Sequence, residues 1–377
     1  MRLRRVLAVF RKELIQIKRD PRSLIQIVLM PVMLLLLYGY ALTFDITHVP
    51  TAVLDQGRSQ VSREFINRFL GSPYFSLTHY VDSYKEAEDL VNRGEVRLVL
   101  VLAHDFGKQL TSEQPAKLQA IIDGSDANTA NVVLGYLQGV TAEYNQKIMV
   151  ERLEKKGLNQ IKTPLTYEPR VWFNEEMESR NFIVPGLIVV IMTMVGATLT
   201  ALSVVREAER GSMEGLMASP LKQAELILGK LGPYFLVGML DMAIAMGMGQ
   251  FLFDVPMRGS WLLMVAMSAL YLLVMLGQGL LISVASGNQV QANQLAMLTT
   301  FLPAFLLSGF MFDIRQMPLV LQVVSYMTPA RYFVTIVKDV YLKGLGLEVL
   351  WPQALVMAGF AVFFLAAAVR RFSKKVR

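Results

Sequence analysis

One acid stands deep inside an apolar run. Asp241 lies near the middle of residues 231–253, which carry no other charge. A charge at a bilayer centre costs at least ~2.5 kcal/mol on insertion scales, so it must face a helix bundle or water. Two roles fit: Asp241 lines a translocation path or pairs across a subunit interface, or it bonds a neighbouring helix, with Gln278 as partner, and only fixes packing. The remaining reactive residue types are scattered. His48, His79 and His104 are far apart and lack metal-ligand spacing, so no metal site is expected. Asp123 and Asp126 fall in a turn-like DGSDAN stretch without the spacing or closing Glu of a calcium loop. No G-x-x-x-x-G-K-[ST] phosphate loop occurs; Gly229-Lys230 lacks the upstream glycine. G-x-S-x-G and H-E-x-x-H are absent too. An intramembrane enzyme would need paired groups inside the spans, and only Asp241 is there. No catalytic residue is expected.

The second concentration of charge is residues 206–230, REAERGSMEGLMASPLKQAELILGK, between apolar runs 182–205 and 231–253. Each run is long enough to cross a ~30 Å hydrocarbon core as helix. Both ends of the segment therefore lie at one membrane face. Arg206, Glu207, Glu209 and Arg210 have i,i+3 and i,i+4 spacing for pairing on a helix, and Leu216, Met217 and Leu221 add an apolar element. A surface helix offered to a partner fits this pattern; so does a solvated turn that enforces topology.

The elements around these residues are those of a polytopic membrane protein. The chain is 54% hydrophobic and 18% charged, below the ~25% charge of soluble domains. Its net charge of +7 clusters beside apolar runs, which fits anionic headgroups rather than nucleic acid. There are no cysteines, which excludes disulfides. The 22 methionines suit a substrate wall and ordinary packing equally.

In chain order, residues 1–22 predict a basic amphipathic helix at the cytoplasmic membrane surface, its apolar face formed by Leu3, Val6, Leu7, Phe10, Leu14 and Ile17. A first span occupies 23–43, kinked at Pro31. Residues 44–180 read as an α/β extracytoplasmic domain, with strands at 51–54, 75–81 and 97–102 and helices at 61–70, 84–93 and 128–154. Residues 181–377 hold five further spans at about 182–205, 231–253, 261–285, 295–312 and 352–369. Residues 286–293 are an uncharged polar turn, and 313–350 an external re-entrant or interfacial segment. Gly247/Gly249 and Gly277/Gly279 allow close helix approach. Six spans place the Lys/Arg clusters of the N-terminus, the 206–230 loop and the C-terminus together on the cytoplasmic side. Arg315, Arg331, Lys338 and Lys343 then lie outside, against that rule.

Three stretches resemble the type-two ABC exporter permeases. They are K-R-D-P-R (18–22) before the first span, 206–230 followed by G-P-Y (232–234), and F-L-P-A-F-L-L-S-G-F-M-F (301–312) with Met317-Pro318 and Y-M-T-P-A-R-Y-F (326–333) after it. The outer domain, with V-L-D-Q-G (53–57) and G-E-V-R-L-V-L-V (94–101), is similar to the long drug-exporter branch. The resemblance implies an inner-membrane, multi-pass permease with cytoplasmic termini that exports amphipathic molecules, drugs first, with lipid or a small cation as alternatives. It implies two copies of a separately encoded ATPase holding ATP and Mg, no cofactor in this chain, a second permease as homodimer or paralogue, and contact with membrane lipids. A periplasmic adaptor is a further partner; nucleic acid is not. It makes 206–230 a coupling helix, with Arg206, Glu207, Glu209, Arg210, Gly211, Glu214, Leu216, Ser219 and Pro220 as its contact residues. Pro303, Ser308 and Gly309 join Asp241 and Gln278 along the path or at the subunit interface. A membrane sensor or scaffold, whose external domain binds a ligand or accessory protein, also lacks a phosphate loop and is the competing class.

Overall fold

Lipid offers the backbone no hydrogen-bond partners, so apolar stretches cross it as helices or closed barrels. A computed structural model describes residues 3–21, 25–41, 48–112, 114–155, 172–174, 178–212, 215, 219 and 221–371. Its contacts divide the chain into two units, Phe44–Arg170 and a unit made of Met1–Thr43 and Val171–Arg377.

The second of these opens with α1 (Leu3–Arg19), whose last turn carries Lys18 and Arg19, favourable against the helix dipole. Its buried stripe is Val9, Glu13 and Ile17. Leu3, Leu7, Leu14 and Ile15 are exposed. The apolar face expected from the sequence is therefore split: one stripe packs inward and the other is free to lie on lipid. A π-helical turn, Ile25–Leu29, leads into α2 (Met30–Ala41). Pro31 cannot donate to the carbonyl one turn back, and the widened turn sits where that bond is missing.

The Phe44–Arg170 unit is a four-stranded sheet in the order β2-β1-β3-β4. β1 (Val49–Asp55) leads through α3 (Gln60–Leu70) to β2 (Phe75–Tyr80), and α4 (Tyr84–Asn92) leads to β3 (Leu98–Leu102). β1 pairs in parallel with β2 and β3. α5 (Phe106–Thr111) and β4 (Leu118–Ile122) follow, β4 antiparallel to β3, and α6 (Ala127–Lys155) closes the unit. β3 is buried at all five positions. Strand alternation sends Leu98, Leu100 and Leu102 to one core with Phe65, Phe69 and Phe75, and Val99 and Val101 to another with Leu54, Val81 and Leu90. β4 and α5 are elements the sequence reading lacked. Asp123 accepts from the Ser125 backbone N–H at 3.0 Å, a bond that holds its exposed carboxyl below the ordinary value. Asp126 accepts from the Thr129 hydroxyl at 2.5 Å. Both acids thus serve the turn ahead of α6.

In the helical unit the next element is α7 (Arg180–Glu209), about 45 Å long at 1.5 Å per residue. Most of it is buried, because α8 (Gln223–Phe251), α9 (Trp261–Ala285) and several later helices all pack on it. α7 is the axis of the unit. Gly279 sets the α7–α9 approach: a Cβ there would lie 2.0 Å from Thr200 Oγ1 and 2.4 Å from the Ala197 carbonyl oxygen. Gly277 faces Phe364 and Leu365, whereas a Cβ on Gly247 would meet nothing within 4 Å, so that glycine makes no close helix contact.

After α9, Asn288 caps α10 (Gln289–Ala296) by accepting from the Gln291 N–H at 2.7 Å. A π-helical turn, Met297–Phe301, continues it into α11 (Leu302–Leu306). The turn expected over 286–293 is therefore confined to its first residues, and the fifth apolar stretch is helical over 289–306 rather than 295–312. Asparagine's preference for the N-cap moved that boundary. A 3₁₀ turn (Ile314–Gln316), α12 (Leu319–Ser325) and α13 (Pro329–Lys338) follow. A last π-helical turn, Asp339–Lys343, precedes α14 (Leu347–Arg371). α13 is amphipathic and buries Phe333, which stacks on Tyr271 of α9 at 4.2 Å. Among the described residues, four helices are long and apolar enough to cross a membrane: α7, α8, α9 and α14. The expected first and fifth spans correspond to shorter helical stretches, 25–41 and 289–306.

Candidate functional site

Five acidic or basic side chains are buried among the described residues: Glu13, Glu207, Glu225, Lys230 and Asp241. The first four gather where α1 crosses the end of α7 and the start of α8. Lys230 Nζ lies 2.8 Å from Glu13 Oε1 and 2.5 Å from Glu207 Oε2. Lys12 also pairs with Glu207, and its Nζ is 3.6 Å from Glu13. Tyr234, one turn beyond Lys230, donates to Glu13 Oε2 at 3.3 Å. The carboxylates of Glu13 and Glu207 and the ammonium groups of Lys12 and Lys230 thus balance. Arg206 pairs with Asp20 at 2.6 Å beside them. At the head of α8, Glu225 accepts from the Lys222 backbone N–H at 3.1 Å and lies 3.8 Å from Arg5.

Local sequence dictates this geometry. Spacing by four puts Val9, Glu13 and Ile17 on one line of α1. On α8, Glu225, Gly229, Lys230 and Gly232 face that line. A Cβ at Gly229 would lie 2.7 Å from Val9 Cβ and 3.0 Å from the Val6 carbonyl oxygen; one at Gly232 would lie 2.7 Å from the Phe10 ring. The glycines let the backbones close so that lysine and carboxylates meet. The E-L-x-x-G-K-x-G-P-Y stretch is a docking face for α1.

The tip beyond this cluster is exposed: Ala208, Glu209, Arg210, Gly211, Ser212 and Gly215. Gly211 ends α7 at φ +70°, a left-handed position that suits glycine. Glu209 accepts from the Gln289 backbone N–H at 2.7 Å and from its side-chain amide. The 206–230 and 286–288 connections therefore share one end of the bundle. The i,i+3 and i,i+4 pairs expected among Arg206, Glu207, Glu209 and Arg210 do not form. Arg206 and Glu207 turn to α1 and α8, and Glu209 turns to α10. Glu207 is 2% exposed, so its carboxylate is no part of an outward face. Ser219 is half-buried. Glu214, Leu216 and Pro220 lie outside the described residues.

Asp241 is 1% exposed, on the buried face of α8, and among the described residues neither of its carboxylate oxygens has a hydrogen-bond partner. The expected bond to Gln278 is not formed; Gln278 Nε2 donates to the Thr299 carbonyl at 3.3 Å instead. Gln278 and Pro303 line a cavity of about 190 Å³ with Thr193, Tyr271, Thr299 and Thr300. The Thr193 and Tyr271 hydroxyls bond each other at 2.5 Å. Ser308 and Gly309 line a separate cavity of about 580 Å³. The five residues expected along one path thus fall in three places.

Sequence reasoning missed Lys12, Glu13, Lys230 and Tyr234. The available signal was an acid at position 13, in register with the inward line of α1, and a lysine at the edge of an apolar run.

The chain matches, over residues 21–370, the family model described as ABC-2 family transporter protein. It is 40% identical over 364 residues to "Probable multidrug ABC transporter permease YbhS" of Escherichia coli (strain K12), covering 96% of this chain and 95% of that protein. It is 29% identical over 372 residues to "Probable multidrug ABC transporter permease YbhR" of the same strain, covering 99% of each. It is 24% identical over 332 residues to "Inner membrane transport permease YhhJ" of that strain, covering 87% of this chain and 86% of the relative.

Proposed function

We propose that this chain, which belongs to the ABC-2 family transporter proteins, exports amphipathic small molecules, drugs foremost, on energy from a separately encoded ATPase. Its place as a permease subunit of an ABC transporter follows from the family and from relatives named as permeases. Two ATPase copies, holding ATP and Mg, dock on the exposed tip residues 208–212 and 215, and a second permease completes the membrane part. The location is the inner membrane, with both termini cytoplasmic, the α/β unit outside and a periplasmic adaptor as an optional further partner.

The four-charge cluster of Lys12, Glu13, Glu207 and Lys230, all buried but Lys12, carries this reading. It clamps α1 to both helices that flank the tip. A push on the tip therefore reaches α7, the axis of the bundle, without being lost in a loose hinge. Transport then needs two discrete packings of the bundle.

The test is reconstitution with the ATPase in liposomes, reading ATP-driven efflux of an amphipathic dye together with ATP hydrolysis. Arg210→Glu with Glu209→Lys exchanges the two charges on the exposed tip, keeping its net charge, and leaves the clamp intact. Efflux is expected to fall at least about tenfold, a loss of ~1.4 kcal/mol in coupling, with insertion unchanged. Full coupling in that variant would count against the tip as the docking point.

A further inference from the structure

We propose that the larger cavity of the helical unit holds the phosphate headgroup of an anionic phospholipid. The cavity, about 580 Å³, is lined by Arg315, Arg331, Lys338 and Lys343 against only two acids, Asp313 and Asp339. Its size suits a bound small molecule or headgroup.

Its depth follows from α7. Phe182, in the first turn of α7, lies under Lys338 Nζ at 3.7 Å, whereas Glu207 of the charge cluster is in the last turn. The 25 residue steps from one to the other span about 38 Å of helix, more than a ~30 Å hydrocarbon core. The cavity therefore sits at the membrane face opposite α1.

The cations are held but not used up. Lys338 donates to the Gly309 carbonyl at 2.7 Å. Lys343 pairs with Asp339 at 2.6 Å. Arg331 stacks on Tyr326 at 3.7 Å and donates to Ser325 Oγ at 2.5 Å. An ammonium has three donors and a guanidinium five, so each keeps donors for phosphate oxygens. Arg315 is exposed, its backbone N–H anchored on Asp313 at 3.0 Å.

The neighbouring helix selects a lipid over a free anion. α12 exposes Leu319, Val320 and Val323, and Met327 follows it at 76% exposure. A charged pocket beside an uncovered apolar helix fits a headgroup with its acyl chains. Soluble phosphate would leave that apolar face in water. This inference uses the membrane placement of the proposed reading but not its ATPase or its transported substrate. It also accounts for four cations on the face where the positive-inside rule expects few.

The test uses the full chain in phosphatidylcholine nanodiscs with increasing phosphatidylglycerol, following the unfolding temperature and lipid retention by native mass spectrometry. Wild-type protein is expected to show a saturable rise with retained phosphatidylglycerol. Arg315→Gln with Lys343→Gln should weaken the apparent affinity about tenfold or more. Arg315→Lys with Lys343→Arg, which keeps both charges, should retain the response. Lys85→Gln with Lys108→Gln, which removes two exposed cations of the α/β unit, should leave it unchanged. Equal phosphatidylglycerol affinity in the glutamine pair and wild type would overturn the proposal. So would inorganic phosphate in place of phosphatidylglycerol giving the same rise.

Discussion

Lys230→Met tests the clamp directly. Methionine keeps the length and most of the volume of the stem while deleting the ammonium. Lys230 is 1% exposed and contacts both Glu13 and Glu207. Its loss leaves two buried carboxylates with Lys12 alone, so one negative charge is uncompensated. Breaking a buried pair from one side costs ~3–5 kcal/mol, chiefly through the charge left behind. The Tyr234 bond to Glu13 and the partial exposure of Lys12 soften this, so about 3 kcal/mol is expected. The assay is denaturant unfolding of the purified full chain in micelles, followed by tryptophan fluorescence. Adding Glu207→Gln restores balance, because Lys12 can then serve Glu13. The double variant should recover at least half of the loss, a coupling that a double-mutant cycle isolates. If Lys230→Met unfolds within ~0.5 kcal/mol of wild type, or if the double variant is no better than the single, the four charges do not act as one balanced unit.

Gly229→Leu should displace α1, since even a Cβ meets Val9 at 2.7 Å; the expected cost is about 1–3 kcal/mol, read as lost disulfide trapping between engineered cysteines on α1 and α8. Gly279→Ala should destabilise by a similar amount, and Thr200→Ala should not rescue it, because the Ala197 carbonyl remains 2.4 Å away. Asp241→Ala removes a buried carboxylate without a partner, so thermal unfolding should be unchanged or raised while efflux is lost; retained efflux would reduce Asp241 to packing. Because the chain has no cysteine, single cysteines at Arg210 and Asp82 should react with an impermeant thiol reagent from opposite sides of the membrane, and labelling from one side would refute the topology.

The helical skeleton was legible because apolar runs report burial in lipid almost directly. α7, α8, α9 and α14 follow from length and composition. Strands β1 and β3 are marked by valines between turn residues, and β2 by aromatic residues at both ends with Thr78 between them. β4, LQAII, is only half-buried and lacks a clean alternation. Residues 289–293, the first part of α10, read as a turn because they are polar and show no apolar period; the Asn288 cap marks the start of the helix. The charge cluster was illegible for another reason. Lys12 and Glu207 are 195 residues apart, and Glu13 and Lys230 are 217 apart. Local spacing suggested partners for Glu207 on its own helix, and packing supplied others. Asp241 was found because a lone acid in an apolar run is conspicuous, but its surroundings are set by three-dimensional packing and no spacing rule could supply them.

The 217 residues between Glu13 and Lys230 also set a schedule for biogenesis. At about 5–20 residues per second of synthesis, Glu13 leaves the ribosome some 10–40 s before its lysine exists. During that interval the N-terminal segment carries a carboxylate that cannot yet be neutralised by its final counter-ion. The exposed leucines along its other edge give it a place to wait at the lipid headgroups until the third apolar segment brings Lys230 to it.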